Sequence, residues 1–426
     1  MNARALPGHP HIHYRGNALH VEDMPLADLA RTHGTPLYVY SQAAMLDALA
    51  AYQRGFAGRR VQICYAMKAN SSLAVLQLFA RAGCGFDIVS GGELERVLAA
   101  GGEAAKVIFS GVGKTRAEMR QALAAGIGCF NVESEAEIEV LNEVALAMGR
   151  VAPVSIRVNP NVDAKTHPYI STGLKGNKFG IAHEQTLAVY QRAARLPGLR
   201  IAGIDCHIGS QITEETPYLD AMDRLLDLVA AIEAAGIAIG HIDFGGGLGI
   251  DYNGEQPPAA DLLWAKLLAR LDARGYGERL LMVEPGRSLV GNAGVCATEV
   301  LYLKPGEQKN FCIVDAAMND LPRPMMYDAY HAIVPLTAPS GQPEQLWDVV
   351  GPICESGDWI GRERALAVQP GDLLAVLSAG AYCSSMGSTY NTRARPAEVL
   401  VAGAKAHLIR AREAIADIFQ AERLLP

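Results

Sequence analysis

The chain has 426 residues, half of them hydrophobic and 19% charged, with a formal net charge of −7. That length exceeds one ordinary hydrophobic core, so two domains are expected. The acidic balance argues against nucleic acid or an anionic membrane surface as partner, and no apolar run approaches the length of a membrane span.

In chain order, the first residues, MNARALPGHPHIHY, lack an apolar core of signal-peptide length. His9, His11 and His13 alternate with no cysteine or acidic residue beside them, so a solvated tail or edge strand is expected there rather than a metal site. HIHYR and PLYVY (36–40) read as strands, with MPLADLARTHG between them as a short amphipathic helix ending at Gly34. From about residue 41, short apolar runs recur: VQICYA at 61, GFDIVS at 85, VIFSG at 107, CFNVES at 129, VSIRVNP at 154, GIDCHIG at 203, HIDFGGG at 241 and LMVEPG at 281. Alanine-rich stretches of helical period, such as LAVLQLFARAG and EAEIEVLNEVALAMG, lie between most of them. Eight such alternations predict a (β/α)8 barrel over residues 41–294. An open doubly wound sheet would want a phosphate-binding glycine turn after its first strand, and here that strand ends in AMKAN.

Two nucleotide-like strings fail on inspection. GVGKT (111–115) has Ile108 where a P-loop needs its first glycine, and GGGLGI (245–250) ends in Ile250 where GxGxxG needs glycine. After about 295 the helical period fades. VCATEVLYLK, KNFCIVDA, LWDVVGPIC, DLLAVLSAG and AEVLVAG are strand-like and turn-bounded, predicting a mainly β second domain built from residues 1–40 and 295–426. The eight cysteines (64, 84, 129, 206, 296, 312, 354 and 383) form no CxxC pair, which predicts free, mostly buried thiols in a reducing cytoplasm and gives no sign of zinc.

The polar residues cluster at the ends of the strand-like runs. Lys68 follows the first, Asp87 and Ser90 sit on the second, Arg157 and Asn159 lie on the fifth, and His207 and Ser210 on or just after the sixth. Gly245, Gly246 and Gly247 end the seventh, and Glu284, Gly286 and Arg287 the eighth. Singly, the glycines are a tight turn, His207 a core histidine and Lys68 a surface amine. Six of eight strands ending this way on one rim predict an active site. The residue types suit pyridoxal phosphate. Its aldehyde needs an amine, here Lys68. Its ring nitrogen accepts electrons when protonated, which a carboxylate such as Glu284 enforces. Its phosphate needs closely approaching N–H groups, which glycines permit, with Ser210 adding a hydroxyl.

The strings YAMKAN, HPYISTGLKGNKFG, HIGSQ, DFGGGLGI, EPGRSLVGNAG, DAAMNDLPRPMMYDAYH, GPICESGD and YNTRARPAEVL resemble those of the diaminopimelate decarboxylase family, within the barrel-type (fold type III) pyridoxal-phosphate decarboxylases. The resemblance runs from PLYVY at 36 to AEVLV at 401. It implies decarboxylation of meso-2,6-diaminopimelate to L-lysine and CO2, the last step of lysine biosynthesis, in a cytoplasmic homodimer with shared active sites. By that resemblance Lys68 carries the cofactor and Glu284 faces the pyridine nitrogen. His207 stacks on the ring, while Asp87, Arg157, Ser210, Gly246, Gly247, Gly286 and Arg287 complete the cofactor site. Arg287, Arg323 and Tyr327 resemble the residues that bind the substrate's carboxylates. Cys354 resembles the general acid, Glu355 the acceptor for the distal ammonium, and Tyr382 a residue touching cofactor and substrate. Cys354 and Glu355 would reach the site from the partner subunit. Ala317, Cys383 and Ala394 depart from the family pattern (glycine, glycine and proline) without removing a functional group. The competing readings are a relative acting on D-ornithine, D-lysine or a carboxylated polyamine such as carboxynorspermidine, an amino-acid racemase, and an inert cofactor-binding homologue.

Overall fold

The eight apolar runs become eight parallel strands in a computed structural model that describes residues 4–6, 8–56, 58–163, 177–338 and 343–426. They are β1 (Val61–Ala66), β2 (Gly85–Ile88), β3 (Val107–Phe109), β4 (Cys129–Val132), β5 (Ala152–Asn159), β6 (Leu199–Cys206), β7 (His241–Asp243) and β8 (Leu280–Val283). Each pairs with the next, β8 returns to β1, and the sheet is closed. A closed sheet has no unpaired edge, and β2, β3 and β4 are buried at every residue.

The helices between the strands start where the sequence supplies a cap. Ser90 and Ser134 accept the N–H groups of Glu93 and Glu137, and Thr115 forms a reciprocal capping box with Glu118. These caps follow their strands closely, which fixes where each strand ends and where its last side chains point. Cys64, Ile108 and Met282 meet as a small apolar layer. Two residues farther along the same strands stand Ala66, Ser110 and Glu284, so the interior turns polar toward the C-terminal rim. Gly203 of β6 lies opposite His241 of β7. A Cβ there would come within 2.2 Å of His241 Nε2, so only glycine leaves room for that ring.

The chain divides into two compact units. One is Leu49–Gly249 with Gln256–Ser288, which contains the barrel; the other is Met1–Ala48, Ile250–Glu255 and Leu289–Pro426. The second unit is mainly β, as its strand-like runs predict. Leu37–Ser41, buried at all five positions, runs antiparallel to Gly294–Lys304 and parallel to Ala397–Ala402. Ile12, Leu19, Val21, Val39, Val295 and Val399 belong to the core of this unit. The helix Leu26–His33 ends at Gly34, whose φ of +72° suits glycine.

Three details differ from or fall outside the sequence reading. The strand Trp359–Leu366 has no counterpart there, because Arg362, Glu363 and Arg364 interrupt its apolar character. The strand His9–Arg15 pairs on both sides and is not an edge. His9 is buried, its Nδ1 donating to the Asn292 carbonyl and its Nε2 meeting the Ser378 hydroxyl, and burial lowers its pKa. The HPYISTG segment (167–173) lies outside the described residues.

Substituting Gly203→Ala is expected to cost about 1–3 kcal/mol by overpacking. Urea unfolding should show the loss, and His241→Ala added to it should recover part of it. An unchanged midpoint in the single variant would mean that the ring and the glycine do not compete for space.

Candidate active site

Lys68 lies in the single turn Met67–Ala69 that follows β1, and its ammonium pairs with Asp87 of β2. The Asp87 side chain is fully buried while that of Lys68 is 38% exposed, so the pair anchors the amine without sealing it away. Asp87 Oδ1 has no hydrogen-bond partner among the described residues. On the other side of β1, the Ala66 N–H donates to the Pro285 carbonyl at 3.0 Å. The segments bearing Lys68 and Glu284 therefore leave adjacent strands at the same rim. A Cβ on Gly286 would come within 3.1 Å of Ala66, which is how closely these segments pack.

The glycine turn after β7 is shaped by its neighbours. Gly245 and Gly247 have φ of +62° and +101°, a region side chains rarely occupy. The Gly245 N–H donates to Asp243 Oδ1 at 2.8 Å, and its carbonyl accepts from Glu284 N–H at 2.7 Å. A Cβ on Gly247 would sit 2.5 Å from the Gly209 carbonyl. Gly246 N–H donates to His207 Nδ1 at 3.2 Å, so that nitrogen carries no proton. Burial pushes the His207 pKa well down, with Arg157 and Lys68 adding to the effect, and the ring stays neutral. Ser210 Oγ accepts from Arg287 at 3.0 Å, placing a guanidinium and a hydroxyl after β8 and β6.

Arg157 on β5 is aimed by Glu133, at 3.3 Å. Glu133 also accepts the N–H groups of Gly111 and Gly180, at 2.9 and 3.0 Å. The GVGKT string has a structural task. The Lys114 side chain is fully buried and donates to the carbonyls of Gly111 and Asn131 and to Glu137, each at 2.7 Å. The side chain of Asn131 in turn donates to Glu284 at 3.3 Å.

Carboxylates crowd the interior. Oxygens of Asp205, Asp243 and Glu284 all lie within 4.8 Å of one another, and all three groups are buried. Desolvation first, and then mutual repulsion, raises the pKa of Asp205 and Glu284 well above the ordinary range. Burial pushes Asp243 up to about 7, against the opposing Gly245 hydrogen bond. This rim fits a phosphorylated pyridoxal on its own geometry: a reachable amine, a buried acid on the adjacent strand, and a turn where no side chain stands between backbone and ligand.

The remaining sequence-derived residues belong to the β-rich unit. Arg323 opens the short helix Arg323–Tyr327, is 5% exposed and donates to His331 at 2.8 Å. Tyr327 ends that helix. Cys354 is the one exposed cysteine of the eight, all of which are free thiols. Its N–H donates to Asn391 at 3.3 Å, and the neighbouring Glu355 accepts from the Tyr390 hydroxyl at 2.7 Å. Tyr382 holds a left-handed backbone, φ +57°. The sequence reading gave no role to Asn131, Glu133, Asp205 or Asp243. Their signal is a period of two: Asn131 and Glu133, Asp205 and His207, His241 and Asp243 are alternate positions, and alternate residues face one side of a strand.

A family model described as pyridoxal-dependent decarboxylase, pyridoxal binding domain, matches residues 42–291. The chain is 54% identical over 408 residues to a diaminopimelate decarboxylase of Vibrio cholerae, covering 96% of this chain and 97% of that one. It is equally identical over 413 residues to that of Pseudomonas aeruginosa, covering 97% and 99%. Among solved structures, the diaminopimelate decarboxylase from M. jannaschii in co-complex with L-lysine superposes with a TM-score of 0.93 at 37% identity, covering 98% and 99%.

Two outcomes are expected. Lys68→Ala should abolish the visible absorbance that lysine-bound pyridoxal gives, whereas Lys114→Met, which removes a buried strut, should lower thermal stability instead. The second concerns pH. A carboxyl protonated in the fold and ionised in the unfolded chain binds more protons when folded. Its contribution is therefore present at low pH and lost as pH rises from about 4, the ordinary range, to about 7. Unfolding midpoints of cofactor-free wild type, measured relative to Asp243→Asn, should fall across that window; a flat difference would show that Asp243 is ionised in the fold.

Proposed function

The chain belongs to the diaminopimelate decarboxylase family of pyridoxal-dependent decarboxylases, and on that premise we propose that it removes CO2 from the α-carbon of meso-2,6-diaminopimelate, giving L-lysine. The observation that carries this reading is the common rim of Lys68, Glu284 and the glycine turn. Pyridoxal phosphate, when bound, supplies the aldehyde that takes the substrate's amine and the ring that accepts the electron pair left by departing CO2.

The chain's own residues do the rest. Lys68 would hold the cofactor through its amine, which its pairing with Asp87 positions. Glu284, oriented by Asn131, would supply the carboxyl for the cofactor's ring nitrogen. Ser210, Gly246, Gly247, Gly286 and Arg287 would hold the cofactor's phosphate, Arg157 and His207 its ring, and Tyr382 would serve both cofactor and substrate. Cys354 Sγ returns a proton to the α-carbon. Arg287, Arg323 and Tyr327 bind the substrate's carboxylates and Glu355 its distal ammonium. Pairing a polar group in this way rejects analogues lacking it by on the order of 10⁴–10⁵, which favours diaminopimelate over shorter or monocarboxylic amino acids. The active form is a cytoplasmic homodimer in which Cys354 and Glu355 serve the partner's site; the exposure of both residues supports that placement.

The direct test is CO2 release from meso-diaminopimelate with and without added pyridoxal phosphate. Cofactor-dependent release is expected, and equal turnover of lysine or ornithine would overturn the assignment. Cys354→Ala should lower kcat by about 10²–10⁴, the usual share of a general acid. Mixing inactive Lys68→Ala with inactive Cys354→Ala subunits should recover about a quarter of the wild-type rate if sites are shared in a two-fold dimer; no recovery after verified exchange would place both residues in one subunit's site.

A further inference from the structure

Among the described residues, three cations of the barrel unit face carboxylates. Lys68 has Asp87, Lys114 has Glu137 and Arg157 has Glu133. Arg323, only 5% exposed, has no carboxylate within ion-pair distance among the described residues. Its side-chain contacts are neutral. One Nη donates to His331 Nε2 at 2.8 Å, and the guanidinium stacks 4.6 Å from the centre of the Tyr252 ring. That tyrosine also meets the His331 ring edge-on at 5.3 Å.

The histidine's protonation follows from its partners. A guanidinium has only N–H donors, so His331 Nε2 must accept. The Leu377 carbonyl, 2.8 Å from Nδ1, has no proton to give, so Nδ1 must donate. The imidazole is thus neutral, of one tautomer, and fully buried. A carboxylate in its place would fix the arginine equally well but cancel its charge. A buried charge without a counter-ion is costly, so the arrangement is suited to receiving one from a ligand.

We propose that His331 is a positioning and specificity residue: it orients Arg323 through an uncharged acceptor so that the guanidinium takes the substrate's distal carboxylate as its counter-ion. This rests on the function proposed above, and it gives a role to a residue at the end of the DAAMNDLPRPMMYDAYH string that sequence alone left without one.

The experiment compares two ligands on the holoenzyme, L-lysine and 1,5-diaminopentane, which share a diamine skeleton and differ by one carboxylate. Binding is read from the change in cofactor absorbance and, separately, as inhibition constants. Wild type should prefer L-lysine by about tenfold or more, as expected for a charge-assisted pair in a buried setting. His331→Gln, which retains a neutral acceptor, should keep most of that preference. His331→Phe, which removes the acceptor, and His331→Glu, which neutralises the arginine, should each bring it close to unity while cofactor binding is unchanged. A preference that survives in His331→Glu would overturn the proposal, since the arginine's free charge would then be irrelevant. So would a wild type that does not distinguish the two ligands. If His331→Phe does not fold, the Gln and Glu variants decide the matter. Failure of the functional reading appears elsewhere, as absence of CO2 release from diaminopimelate by wild type.

Discussion

Closure of the eight-stranded sheet is the constraint on which the site depends. Parallel strands in a closed ring present alternate residues inward, and their C-terminal ends share one rim. Asp87, Asp205, Asp243 and Glu284 are buried along these strands or at their ends, with Glu133 just beyond β4, while Lys68 and Arg157 are the cations paired among them. Acids in such excess cannot all ionise in a medium of low polarisability, so some retain protons. The same excess favours any cation placed among them. A protonated ring nitrogen opposite Glu284 would be held by the whole group rather than by one carboxylate.

The rim is braced from behind. Lys114 ties the loop after β3 to the Asn131 carbonyl of β4 and to Glu137. Glu137 also accepts the Glu133 N–H, and Glu133 aims Arg157. A string that looks like part of a nucleotide motif is in fact a three-way strut, and its lysine has no donor left over for a phosphate. The β-rich unit shows the opposite imbalance at Arg323, a buried cation left to neutral neighbours. Excess acid suits a cationic heterocycle, and excess base suits a carboxylate.

Legibility in the sequence followed periodicity. The continuous apolar runs became barrel strands because burial on both faces demands such runs, and the residues closing them, Lys68, His207 and Glu284, lie at the rim for the same reason. Trp359–Leu366 escaped because its charged residues hide a strand whose environment is set by neighbours distant in sequence. His9 read as solvated because nothing nearby satisfies it; its partners, Asn292 and Ser378, lie hundreds of positions away.

The sequence alone determined the fold class, the number of barrel strands and the chemical types gathered at their ends, because hydrophobic period and chain punctuation are local properties. Only the tertiary structure decided which charges are matched. That Asp243 meets both the glycine turn and Glu284, that Asn131 reaches Glu284, and that Arg323 leans on a neutral histidine all depend on strands and segments brought together through space. Electrostatic energy is set by those distances and by the loss of water around them, and neither is written in residue order.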